Sequence, residues 1–132
     1  MDAADGELDE RERARLQTGR NVLAIEHELR GEWDAAIELY EANVTEGFPG
    51  DLPYGHLALI YAKRNRPADV VRVLERAVAV FSALPRSNPD RTPRLRVFRQ
   101  RLQEARRALP RPPRARPRPS DAASPPGADR GD

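Results

Sequence analysis

The chain has no cysteine, one tryptophan, three tyrosines, three phenylalanines and a single lysine, Lys63, among its 132 residues. The missing thiol removes disulfides, thiolate metal centres and cysteine nucleophiles together. With so few aromatic rings, a core has to be assembled mostly from Leu, Val, Ile and Ala. Apolar runs such as Ala77 to Phe81 fall far short of the ~20 residues a membrane helix needs. The start of the chain carries neither a basic segment nor an apolar one, so a soluble cytoplasmic protein without a signal peptide and without membrane contact is expected. Histidine is also scarce, with only His27 and His56. No spacing matches a zinc site, a phosphate loop or a nucleophile with its base, so no cofactor, no metal and no catalytic residues are expected.

What the chain does have is charge, unevenly placed. The net charge is only +2, yet Asp2, Asp5, Glu7, Asp9, Glu10 and Glu12 crowd the start. From Arg86 to Arg118 twelve Arg face only Asp90 and Glu104. An Arg excess this one-sided also follows from a genome rich in G and C, so a single Arg carries little weight as a phosphate contact. Residues 110–132 are Pro, Arg, Ala, Ser, Asp and Gly with almost nothing to bury, and residues 1–7 are acidic and polar. Both ends are expected to be disordered, leaving 8–109 as one helical domain.

Within that domain the apolar positions follow helical spacing. Alternating Glu and Arg from Leu8 favour an exposed helical lead-in, which either stops at Gly19 or runs on to residue 30. Val22, Leu23, Ala24, Ile25 and Leu29 then give a broad apolar face, and Gly31 supplies a left-handed closure. A second helix is expected from Trp33 or Asp34 to Glu46 on Ala36, Ile37, Tyr40 and Val44. Gly47 to Pro53 is turn chemistry. A third helix, 53–64, turns Tyr54, Leu57, Ala58, Ile60 and Tyr61 inward and closes at Asn65, the other residue type that accepts a left-handed cap. Pro67 opens a fourth, 67–84. Thr92-Pro93 opens a fifth, 93–109, whose Leu95, Phe98, Leu102, Ala105 and Leu109 make a narrow stripe ended by Pro110. The short turns make the successive pairs antiparallel hairpins.

The two hairpins also match each other at a spacing of 34 residues without a gap: Leu23 answers Leu57, Ala24 answers Ala58, His27 answers Tyr61, Gly31 answers Asn65 and Tyr40 answers Leu74. This pattern resembles the tetratricopeptide repeats, a helix-turn-helix family of that period, over about 65 of the 132 residues. The second unit carries the pattern on Tyr54, Leu57, Ala58, Tyr61, Val70, Leu74 and Ala77. The first carries it on Leu23, Ala24, Ala36 and Tyr40, and departs from it with Arg20, His27 and Asn43 where packing residues are expected. These departures mark either a binding edge or a worn terminal repeat. The resemblance implies an all-α fold, a short right-handed solenoid with repeats at about 17–50 and 51–84 and a capping helix at 93–109.

Protein interaction is the function such a scaffold implies, and the resemblance places Asn21, Ile25, Glu28, Leu29, Leu59, Ala62 and Lys63 on the groove-lining face. The Lys, Arg and Asn set that family members use to hold a peptide carboxylate is absent apart from Asn21 and Lys63. Apolar Ile25, Leu29 and Leu59 suit either a partner's amphipathic helix or the chain's own helix 93–109. The identity of a partner and the oligomeric state are not readable. His27 is expected to be a partly buried, hydrogen-bonded side chain, and Glu38, Glu41 and Glu46 ordinary exposed helix charges. The alternative function is polyanion contact: Arg111, Arg114, Arg116 and Arg118 alternate with prolines as an extended positive arm suited to nucleic acid or an acidic protein. No aromatic is interleaved among them for stacking on bases.

Overall fold

The computed structural model describes residues 3–110, with side chains from Asp9 onward. The described residues form an all-α fold of five helices: α1 (Ala3–Leu29), α2 (Trp33–Glu46), α3 (Leu52–Lys63), α4 (Pro67–Ala83) and α5 (Arg91–Ala108). Two boundaries differ from expectation. Helix α1 starts at Ala3, inside the segment expected to be disordered, and runs through Gly19 without a break. An exposed glycine costs a helix only about 1 kcal/mol, too little to stop one whose later turns are held by packing. Helix α5 starts at Arg91 with Asp90 as its N-cap residue, two residues ahead of Pro93.

Three turns share one backbone solution. Gly31, Gly47 and Asn65 take the left-handed conformation, with φ of 73°, 74° and 57°. At the first, Gly31 N–H donates to the Glu28 carbonyl and Glu32 N–H to that of His27; at the third, Asn65 donates to Ala62 and Arg66 to Tyr61. Gly47 and Phe48 repeat the pattern onto Val44 and Asn43. Each is the paired closure that satisfies the orphan carbonyls of a helix end. The α1–α2 and α3–α4 turns are therefore equivalent bond for bond at the 34-residue spacing seen in the sequence.

Side-chain contacts fix the directions. Tyr40 meets Glu28, whereas Asn43 meets Asn21 and Gln17, so α2 runs antiparallel to α1. Tyr54 meets Phe81 while Tyr61 lies beside Arg72, so α4 runs antiparallel to α3. Helix α5 turns back along α4, with Phe98 on Phe81 and Arg106 on Glu75. The buried core runs from Ala24 and Ala36 through Tyr40, Tyr54, Leu57, Leu74 and Phe81 to Leu95, Phe98 and Leu102. Ala24, Ala36 and Ala77 are fully enclosed, which lets the helix axes approach and leaves Tyr40 and Tyr54 to fill the space beside them. No helix among the described residues is long and apolar enough to cross a membrane.

Candidate interaction groove

A groove of about 500 Å³ opens between α3 and α5, floored by the first turns of α4. Ala58, Leu59 and Ala62 form one wall, Val70 and Leu74 the floor, and Ala105 and Ala108 the other wall, with Arg66, Arg101 and Glu104 at the edges. Leu59 is 52% exposed. Helix α5 therefore packs along α4 and leaves Leu59 uncovered, so of the two alternatives for this residue the chain's own helix does not cover it. The reason lies in the α5 stripe: Leu95, Phe98 and Leu102 are spent against α4 and the base of α3.

The edges carry aligned charge. Arg66 pairs with Asp69 at 2.7 Å and lies over the Tyr61 ring, 5.1 Å from its centroid. Arg101 sits 6.0 Å from the Phe98 centroid. Such stacking holds a guanidinium in place while its N–H edge stays available. Behind this wall, Tyr61 donates to Glu41 at 2.5 Å, and Arg72 bridges Glu41 at 2.5 Å and Asp69 at 3.3 Å. Burial, with help from Glu41, pushes the Tyr61 hydroxyl up to about 12. Hydrogen bonding to Glu41 holds the Arg72 guanidinium well above its ordinary range.

The residues expected to line one groove are divided by the structure. Leu59 and Ala62 line it. Lys63 lines a smaller pocket of about 290 Å³ with Trp33, Ile60 and Arg64. Asn21 belongs to neither: it is 6% exposed, and its side-chain oxygen accepts from the Asn43 amide at 2.8 Å. Asn43, fully enclosed, also donates to the Gln17 carbonyl and accepts from Arg20, so the departures at Arg20 and Asn43 form a polar seam between α1 and α2. Glu46 ends the seam, accepting from Arg20 at 2.9 Å and Gln17 at 3.0 Å, and these bonds hold its carboxyl below the usual range. Glu41 and Glu46 are thus partners of Arg72 and Arg20, not free helix charges.

Ile25 is half-buried and Leu29 is 83% exposed, both outside the groove lining. Glu28 joins α1, α2 and α3: it accepts from the Tyr40 hydroxyl, and the His56 Nδ1 lies 2.7 Å from the same carboxylate. Burial, reinforced by Glu28, raises the Tyr40 hydroxyl far above its ordinary value. His27 is partly buried, with Nδ1 2.7 Å from Glu32. The sequence reading missed Arg66, Val70, Arg101 and Ala105 as groove residues; the signal for Ala105 was its place at the end of the α5 stripe, and for Arg66 its place at the turn after Asn65. Arg111, Arg114, Arg116 and Arg118 lie outside the described residues.

Together these features define a class: an all-α protein of consecutive antiparallel hairpins with an open apolar groove between its third and fifth helices. Compared with protein-family models, curated proteins and solved structures, the chain matches none.

Proposed function

We propose that the chain is a short tetratricopeptide-like solenoid acting as a non-catalytic adaptor in the cytoplasm, holding a partner peptide or helix in the α3–α5 groove. The observation that carries this reading is Leu59, half-exposed beside Ala62 in a groove walled by alanines. Small walls and an apolar floor accept the ridge of an inserted helix, and Arg101, held over Phe98 at the edge, gives an acidic group on that helix a place to pair. Support for the solenoid comes from the equivalent turns at Gly31 and Asn65 and from α2 and α4, which run the same way, Glu41 to Arg72 and Val44 to Arg76.

Peptide-display selection on the intact protein, followed by titration of the selected peptide, tests the proposal. Leu59→Glu is expected to weaken binding at least tenfold, whereas Gln103→Glu, exposed on α5 and turned away from the groove lining, leaves it unchanged. Equal affinity for both variants overturns the groove assignment. Polyanion contact has less support, because Arg94 and Arg106 of α5 are paired with Asp51 and Glu75.

A further inference from the structure

Helix α1 is 27 residues long and α2 only 14. The contacts of Gln17 with Glu46, the last residue of α2, show where the pairing ends. Residues 3–16 therefore project beyond their partner as about four turns of helix. Asp9 to Leu16 are exposed at every position. A helix of this length is marginal in water without a packed face. The face it shares with the rest of α1 is apolar at Leu16 and Leu23, seven residues apart and 63% and 49% exposed, with Gly19 between them. A Cβ at Gly19 would meet nothing within 4 Å, so another backbone can approach there.

We infer that this face receives the same face of a second copy, the two α1 helices crossing antiparallel about a two-fold axis between Gly19 and Arg20. The charges choose both occupant and direction. With the axis there, Leu16 of one copy opposes Leu23 of the other. Asp9 opposes Arg30 and Arg13 opposes Glu26, each pair occurring twice, and all four side chains are exposed. Parallel in-register pairing sets each of these charges against its own copy and is disfavoured by repulsion. The flank is free, because α1 meets α2 through Gln17, Asn21 and Ala24, and Arg20, beside the axis, is turned away from it onto Asn43 and Glu46 of α2. The paired stretch, residues 10–29 of α1, is about 30 Å long and one helix wide, which gives well under half the ~800 Å² per partner of a standard interface. The dimer is accordingly weak, concentration-dependent and sensitive to salt.

Sedimentation equilibrium of the full chain at low and high salt tests this. Dimer mass is expected at low salt and high protein concentration, with a dissociation constant that rises at least tenfold in Leu16→Glu/Leu23→Glu. Both positions are exposed, and an unchanged circular dichroism melt of the dilute variant verifies its fold. Arg13→Glu alone and Glu26→Arg alone are each expected to weaken the dimer, and the double variant to restore it, since the reversed pair again opposes opposite charges. A monomer at every concentration at low salt overturns the inference. So does a dimer that ignores Leu16→Glu/Leu23→Glu, and a double variant no better than the singles overturns the antiparallel pairing.

Discussion

Tyr40 is wholly enclosed, and its hydroxyl is spent on Glu28, so it serves as filler and bracket for three helices at once. Tyr40→Ala is expected to cost about 3–5 kcal/mol in urea denaturation, as large aromatic truncations do. The helical spacing alone placed Tyr40 in the core; its polar partners were not legible, because they come from α1 and α3 and only the fold brings them together. Asn43 shows the opposite limit. The resemblance drawn from the sequence implies a small packing residue here, and left open whether the departure was a binding edge or wear. The side chain is instead saturated by Gln17, Asn21 and Arg20. Asn43→Ala should therefore destabilise the protein by about 1–3 kcal/mol, the cost of stranding buried polar partners, despite restoring the expected residue type; a neutral result in the same denaturation assay contradicts that account. Tyr54 supplies a pH dependence of definite sign. Burial raises its hydroxyl from 10.0 to about 12, so between those values the unfolded chain loses a proton that the folded one keeps. Its contribution is complete below the unfolded value and disappears as the pH climbs through the folded one. Urea midpoints should fall across that interval, and less steeply in Tyr54→Phe.

Helix ends were the most legible elements, because a left-handed closure needs Gly or Asn and the chain offers them at few places. Gly31 and Asn65 were both readable, and the structure puts the same two hydrogen bonds at each. The run of α1 through Gly19 was not, since an exposed glycine weakens a helix without deciding whether neighbouring packing outweighs it. Two glycine substitutions of opposite expected sign follow. At Gly19 the backbone is helical and nothing crowds the Cβ position, so Gly19→Ala should raise stability by about 0.5–1 kcal/mol. At Gly47 φ is +74° and a Cβ would come 3.1 Å from the Arg76 guanidinium, which is bonded to the Val44 and Thr45 carbonyls. Gly47→Ala should cost about 1–2 kcal/mol from the left-handed backbone alone, with Arg76 displaced in addition. Thermal melts of the two variants moving in the same direction would refute this reading of the turns.

At the scale of the whole molecule, the question is what closes the stack. The narrow stripe of the fifth helix suited it to lie on one neighbour, but whether a groove stayed open beside it was not legible, because the width of that opening depends on how α5 tilts across α4. The closure itself is aromatic. Phe98 lies 5.4 Å from Phe81 and 6.1 Å from Tyr54, between ring centroids, and Leu95 and Leu102 extend the seal on either side. Without α5, Tyr54, Phe81 and the α4 face beside them would meet water, a loss that a domain this small offsets poorly when total stability is about 5–15 kcal/mol. Phe98→Ala removes part of that seal and should cost about 3–5 kcal/mol while keeping one cooperative transition. A chain ending at Asn88 removes all of it and should lose the cooperative transition, with dye-binding apolar surface appearing in its place. The comparison is informative because the two hairpins would keep every α1–α4 contact. If the truncated chain still melts sharply at the original midpoint, the hairpins are self-sufficient, and α5 is present for the groove it forms with α3 and not for the core it covers.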